Sequence, residues 1–600
     1  MAITSSSQID PHVNNQGVLV RMFNTLINDQ KILYRLISSA RVRLCVVSTL
    51  VGIWFVGPNQ ILPGNTRWLR PTPGRIDHAV AQLNWEFLRW TKVVQWPMTA
   101  LPNLGEGWNT VYVPFSSGSL FGMFLKYLDP LLPGGFQFLG IWLIVSFSIF
   151  GFSAGMLMSR LSHDRDLQFL GGCLFLLSPV VYYRVGVLGH FELSAHWLLL
   201  LSFFLALGPN TKQRYWSMLL IVSIAINIYL AAMVAVIFVG STISAMVYNH
   251  DLVRGLRHLL VGSITCFVSL WIFGFFAYSG NARGLGFFRV NGASFLYSKF
   301  SLAGVIEGNF SRFFRSLGVF DDRPFIGFER EGFSYLGLGI IVGTVIAFCL
   351  LIKFYSTTFE GLRIGYVAIC ASALVLFLNA LSPKIAVGRR ELLDVPVPSL
   401  VFDIRQIFRT AERFAWPFYY LIVMTVALVI MRSSMSKRIR VSSLLVILLI
   451  QFWDISGGIN ASRNALRSES EVPVLQEQEW NKLFNGRESV TMYPVFDFID
   501  DEQSLEIESW RTNTRFFSIL EYAAKNRLTI NFSVTGRPVT EIVSRENLRV
   551  EGALQRGNLD TSTVYVLPTI DRWNYFRMTL DDRARFISID GFFLILPDIN

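Results

Sequence analysis

The sequence predicts a polytopic α-helical membrane protein of about 11 transmembrane helices with a small α/β domain at its C-terminus. Three observations predict it. Of 600 residues, 52% are hydrophobic and only 16% charged, where an ordinary soluble domain carries about 25% charged residues. The mean hydropathy is +0.44, and the charges gather between long apolar runs. From about residue 460 the texture shifts to short alternating strand-like and helix-like stretches, the pattern of a small α/β domain.

Taken in order, residues 1–43 form a polar N-terminal segment, and the first apolar run follows Arg41 and Arg43. No small-residue cleavage pattern succeeds that run. Gly57-Pro58-Asn59-Gln60 follows instead, so the run reads as a retained span and not a signal peptide. A span needs roughly 20 apolar residues. Runs that meet this are 44–62, 136–158, 167–187, 193–208, 215–231, 232–248, 259–278, 333–352, 364–381, 415–431 and 441–457.

Orientation follows from the connectors. With the N-terminus cytoplasmic, every short connector then placed inside is basic. These carry Arg160 and Arg165; Lys212 and Arg214; Arg254 and Arg257; Lys353 and Arg363; and Arg432, Lys437, Arg438 and Arg440. That satisfies the positive-inside rule at each step. The long loops 63–135, 279–332 and 382–414 fall outside, and so does the C-terminal domain. The predicted organisation is a cytoplasmic segment 1–43, a transmembrane domain 44–458 with a large first external loop 63–135, and an extracytoplasmic domain 459–600. Two stretches, 119–132 and 295–320, read as amphipathic helices on the membrane surface or as loop helices packed on the bundle. In the tail, helices are predicted at 475–485, 538–555 and 571–580, and strands at 489–495, 528–534, 563–568 and 585–597. His is absent from 460 onward, so no Ser-His-Asp set exists there, nor does a GxGxxG or P-loop. A binding or structural role for the tail is expected.

The net charge of +11 and pI near 9.4 fit basic loops facing anionic lipid or phosphate-bearing substrates. No Lys/Arg tract with interleaved aromatics would track a nucleic acid, so none is expected as a partner. The cysteines Cys45, Cys173, Cys266, Cys349 and Cys370 all fall in apolar runs. They form no CxxC and are expected as small buried hydrophobes.

Three segments carry candidate chemistry. In GRIDHAVAQLNWEFLRW (74–90), Asp77 and His78 lie just outside the first span. A carboxylate there suits a general base; the alternative is an N-cap of a helix over 78–90. In SPVVYYRVGVLGHFELSAHW (178–197), Arg184, His190, Glu192 and His196 mark the outer edge of two spans. Ionisable groups at membrane depth are costly and point to function, or else they snorkel. His190 and Glu192 alone are too few ligands for a metal, so a divalent metal stays open. In FDIRQIFRTAERFAWPFYY (402–420), Arg405, Arg409 and Arg413 would form one helical stripe, a phosphate clamp by Arg's forked geometry, or partners for Asp403, Glu412 and lipid headgroups.

The outer Asp after the first span, the SP…R…GH…HW element and the R…RF.WP.YY element together resemble GT-C-type bacterial membrane glycosyltransferases. More narrowly, they resemble an uncharacterised group with an extracytoplasmic C-terminal domain. The resemblance covers roughly 40–460. It implies an inverting transfer of a sugar from a polyprenyl-phosphate donor to a glycan or lipid acceptor, on the outer face of the bacterial cytoplasmic membrane. It also implies Asp77 as base, with Arg405, Arg409 and Arg413 on the donor phosphate and His78, Arg184, His190 and Glu192 around the substrate cavity. The paired-acid form of the family motif is absent, because His78 follows Asp77. The rival readings are a lipid or glycan transporter or flippase, which would place its charges near the bilayer midplane, and a non-catalytic glycan-assembly protein.

Overall fold

The computed structural model describes residues 39–598, apart from 72–76, 91–95, 97, 99, 102–109, 112–118, 209–211, 277–299, 307–309, 318–330, 382, 388–389, 397–407, 409, 470–473, 496–515, 533–539 and 581–582. The described residues from 40 to 467 form a helical bundle. Its elements are α1 (Ala40–Val56), α2 (Asp77–Arg89), α3 (Leu139–Leu161), α4 (Arg165–Leu176), α5 (Trp197–Ala206), α6 (Gln213–Ile226) and α7 (Ile228–Asn249), followed by α8 (Leu252–Ile272), α9 (Leu338–Thr358), α10 (Arg363–Ala380), α11 (Trp416–Arg432) and α12 (Lys437–Arg467). Among the described residues, seven helical segments are long and apolar enough to cross a membrane, α3, α7 and α12 among them.

The outer surface of the bundle is apolar. Leu256, Leu260, Ile264 and Phe267 of α8 are exposed, as are Val345, Phe348 and Ile352 of α9 and Leu449, Phe452 and Trp453 of α12. A water-soluble protein rarely leaves such continuous apolar faces uncovered. The same faces correct the reading of the cysteines. None is fully buried, and Cys349 is exposed beside Val345 and Phe348, because an apolar run in such a helix need not face protein.

Two expected spans come out differently. The run 193–208 holds only the 10-residue α5, about 15 Å long at 1.5 Å per residue. Most of its residues are buried, so it is a core helix enclosed by its neighbours. The break expected at 231/232 lies at Asn227, whose backbone is extended (φ −160°, ψ 131°) and whose side chain accepts from Tyr229 N at 2.9 Å. Asn227 thus ends α6 and caps α7.

Buried polar side chains of α12 fix the neighbouring segments. Asp454 accepts from Ser311 Oγ (2.5 Å), Phe313 N (3.2 Å), Tyr335 OH (2.6 Å) and Leu338 N (3.0 Å). A buried carboxylate is tolerated when its lone pairs are filled by donors in this way. One residue therefore anchors both the start of α9 and the helical turn Arg312–Ser316. Of the two expected surface stretches, 119–132 contains the helix Ser119–Lys126 and exposes Phe124, Tyr127 and Leu131. Of 295–320, the described part has only two short turns, Leu302–Val305 and Arg312–Ser316.

Beyond the bundle a hairpin pairs β1 (Lys384–Val387) with β2 (Arg390–Asp394). The helix α12 runs on to Arg467, so the boundary expected at 459 lies inside it. The tail domain then comprises α13 (Glu477–Leu483), β3 (Ser489–Met492), α14 (Phe516–Asn526), β4 (Thr529–Ile530), α15 (Thr540–Arg556), β5 (Thr563–Leu567), α16 (Ile570–Leu580), β6 (Ala584–Ile589) and β7 (Phe592–Pro597). The sheet order is β4-β3-β5-β7-β6. The first three strands are parallel and the last two antiparallel, with Tyr565 opposite Ile595. The predicted strands and helices are all present. The amphipathic α14 was not predicted, and it is the helix that docks on α2, with Arg70 and Glu521 paired at 3.3 Å. Burial raises the Glu521 pKa and the Arg70 guanidinium opposes it.

Candidate functional site

Four segments far apart in sequence meet at the end of the bundle that carries the tail domain. The first is the start of α2. Asp77 is the first described residue of that helix; its carboxylate is 53% exposed and hydrogen-bonds His190 Nε2. The second follows α4. Pro179 opens a short helix to Tyr183, which loosens into a π-helical turn, Arg184–Leu188. Gly186 in that turn lies so close to α12 that a Cβ would meet the Ser462 carbonyl oxygen at 2.3 Å. Gly189 then takes φ +73°, a left-handed conformation open to glycine at no steric cost. It reverses the chain so that His190 N returns to the Arg184 carbonyl at 3.1 Å. Both side chains are thereby aimed at one spot.

The third segment supplies Glu331, just before α9. Its Oε2 accepts from Arg184 Nη1 at 2.5 Å and from Arg413 Nη2 and Nε at 2.6 and 3.1 Å. The fourth is the 3-10 turn Ala411–Ala415, which carries Arg413 into Trp416-Pro417 at the head of α11. The arginines are wedged over aromatic faces, Arg184 above Trp416 at 4.9 Å and Arg413 above Tyr229 at 4.6 Å. Both contacts suit the flat guanidinium.

The imidazole of His190 bridges the acids. Nε2 meets Asp77, while Nδ1 lies 3.4 Å from Arg184 Nη1 and 3.7 Å from Glu331 Oε2. Burial opposes charge on this ring, but the Glu331 and Asp77 carboxylates outweigh it and hold its pKa above the ordinary imidazole value. Burial likewise opposes charge on Glu331, and Arg413, His190 and Arg184 overcome it, holding the carboxyl far below the usual range. Arg184 is fully buried, Arg413 is 12% exposed and Glu331 16% exposed. Asp77 is the member of the cluster most open to solvent, at the N-terminus of α2, where the helix dipole favours a negative charge.

The other sequence candidates are placed differently. His78 is buried, bonds the Arg70 carbonyl at 3.0 Å through Nε2 and lies against Phe191. One residue on from Asp77, it faces the core and ties the start of α2 to Arg70. Glu192 is buried in a one-turn 3-10 helix. His196 pairs through Nδ1 with the Tyr420 hydroxyl at 2.7 Å and lies against Trp416, behind the cluster. Arg405 and Arg409 lie outside the described residues. Of the expected arginine stripe only Arg413 is described, and it sits in the 3-10 turn Ala411–Ala415. Among the described residues, no three of His, Cys, Asp and Glu are grouped as a metal ion requires. Glu331 is the residue the sequence reading missed. Its signal was available, because the charged triplet Glu329-Arg330-Glu331 sits at the lip of the span 333–352, where ionisable residues are costly.

Chemically, the cluster offers a water-accessible carboxylate hydrogen-bonded to a buried imidazole, backed by two arginines against a single carboxylate. No curated protein matches the chain. The family described as Domain of unknown function (DUF6311) matches residues 45–456, and the DUF6311 C-terminal domain matches residues 479–597. With more than half of its length matched, the chain belongs to the DUF6311 family.

Proposed function

We propose that the protein is a multi-pass membrane glycosyltransferase that moves a sugar from a polyprenyl-phosphate donor to a glycan or lipid acceptor at the membrane end bearing the tail domain. The apolar outer faces of α8, α9 and α12 support a bilayer setting, with α1 and α3 to α12 as the core of a GT-C-like bundle and the basic connectors in the cytoplasm. The observation that carries the enzyme reading is the convergence of Asp77, His190, Glu331 and Arg413 on one patch. Sequence resemblance ties Asp77 and Arg413 to base and phosphate roles, and they lie within one chain of contacts.

In this reading the acceptor oxygen attacks the anomeric carbon and its proton passes to the Asp77 carboxylate. The bond from the anomeric carbon to the phosphate oxygen breaks, and the lipid phosphate leaves with the electron pair. His190 shares the proton taken by Asp77 and so keeps that carboxylate ready for the next turnover. Arg413, with part of its surface exposed, faces the leaving phosphate. Arg184, fully buried, positions Glu331 and His190. A second reading, a transporter of a lipid-linked glycan, is favoured by one feature. The break between α6 and α7 at Asn227 brings Tyr229 under Arg413, and broken helices are common at transport sites.

The test is transfer from a panel of radiolabelled polyprenyl-phosphate sugars by membranes carrying wild-type protein or Asp77→Asn. Transfer that falls about 10²–10⁴-fold in the variant at equal protein level supports the base role. Equal transfer by both removes Asp77 from that role. No transfer with any donor favours the transport reading.

A further inference from the structure

Along α5, toward the opposite end of the bundle, lies a cavity of about 770 Å³ between α3, α5 and α6. Its walls are apolar, with Leu201 and Leu205 from α5 and Met218 and Val222 from α6. Met218 is 62% exposed, so the cavity opens sideways through the face that a bilayer would cover. Trp197 lines it as well, at the end of α5 nearer the Asp77 cluster. Its mouth is at the end of α5 remote from that cluster and is basic: Arg160 and Lys212 both line it. The Arg160 guanidinium lies over the Phe204 ring at 4.4 Å, and Arg41, bonded to Ser159 Oγ at 3.0 Å, adds a third positive charge nearby. Among the described residues, neither Arg160 nor Lys212 is paired with a carboxylate. This differs from the adjacent pairs Arg43–Asp166 and Lys437–Asp164.

An elongated apolar slot, open to the lipid side and ending in unneutralised cations, matches one ligand chemistry: a hydrocarbon chain joined to an anionic phosphate headgroup. We infer that this cavity is a binding site for an anionic phospholipid, with an acyl chain between α5 and α6 and its phosphate at Arg160 and Lys212. Basic pockets between membrane helices on the cytoplasmic side are suited to such headgroups. The inference rests on the bilayer reading but not on glycosyl transfer. The cations of the site lie at the other end of α5 from His190, and none of the residues that line it belongs to the Asp77 cluster.

Native mass spectrometry of the detergent-purified full chain tests it, with dioleoyl phosphatidylglycerol, dioleoyl phosphatidylcholine or inorganic phosphate added in separate titrations. Phosphatidylglycerol is expected to bind the wild type most tightly. Arg160→Gln/Lys212→Gln should weaken it about 30-fold, since each basic residue near such a headgroup contributes about five-fold. Leu205→Trp, which fills the slot without touching the charges, should weaken both phospholipids. Elution of each variant as the same monodisperse species separates lost binding from lost folding. Equal binding of the two phospholipids, unchanged in the double variant, would overturn the headgroup assignment. Binding of inorganic phosphate, with phosphatidylglycerol binding unaffected by Leu205→Trp, would make this a small-anion site and overturn the lipid. Carbonate extraction of the membranes reads the bilayer setting independently, because a protein released as soluble material would sink that premise alone.

Discussion

Two ionic clusters mark the two ends of the bundle, and they are built on opposite terms. At the end away from the tail domain, Lys437 meets Asp164 and Asp166 at 2.8 and 2.9 Å and Arg43 meets Asp166 at 3.8 Å. These groups are all partly open to solvent; Lys437 is 52% and Asp166 57% exposed, Asp164 27% and Arg43 34%. At the tail-domain end, Arg184, Arg413, His190 and Glu331 are almost wholly withdrawn from water, and Asp77 alone is half-exposed. Ion pairs in water contribute little, whereas a desolvated cluster fails sharply when one member is removed. A bundle that needed only structural pairing has that in the exposed set. The buried set is costlier to assemble, which singles it out as the candidate site.

Substitutions can break or sharpen this contrast. Glu331→Gln should have the largest effect, because it leaves Arg184 and Arg413 without their shared counter-charge. A loss of about 3–5 kcal/mol is expected, read as a lower midpoint of thermal unfolding. A midpoint shift no larger than that of an exposed pair would remove the distinction between the ends. Arg413→Lys keeps the charge but loses the two-pronged contact with Glu331 Oε2, and should cost less than Glu331→Gln, about 1–3 kcal/mol. If it is silent, charge and not geometry holds the site together.

Asp77→Asn should leave the midpoint close to wild type, since the carboxylate is half in solvent, while the proposed sugar transfer falls. An equally large loss of stability would make Asp77 a structural member of the cluster. His190 gives the next effect. Its pKa is raised on folding, so its contribution to stability is complete below the ordinary imidazole range and fades as pH rises through the folded-state value. Glu331 behaves oppositely, with its contribution complete above the ordinary carboxylate range and lost only far into acid. Midpoints measured from pH 6 to 9 should therefore fall in the wild type and flatten in His190→Gln; parallel curves would show that His190 carries no coupled proton. Lys437→Gln, at the exposed end, should produce no measurable change, and a clear drop there would erase the contrast from the other side.

Much of the architecture is legible in residue order. Runs of apolar residues near 20 in length locate most of the helices, and period-two stretches locate the tail strands, because both are local patterns of hydrophobicity. Arg184 and His190 are legible as ionisable residues at the lip of a span. Glu331 shows the limit. It carries the same kind of signal, but only the packing of α9, fixed through Asp454 on α12, makes it the hub of the site. His78 illustrates the converse, since adjacency to Asp77 suggested a shared role while the helical turn directs it to the Arg70 carbonyl.

What the sequence by itself determined is the helical, apolar character of the bundle, the α/β nature of the tail and the edge on which the candidate charges lie, all properties of composition and short-range periodicity. Only the tertiary structure decided which charges meet. That depends on a π-helical turn pressed against α12, a left-handed Gly189 and a buried Asp454, and each of these acts between segments separated by more than a hundred residues or through backbone geometry that no residue type declares. Long-range contacts set the partners, and the opposite charges they bring together, against the desolvation they impose, give His190 and Glu331 their altered proton affinities.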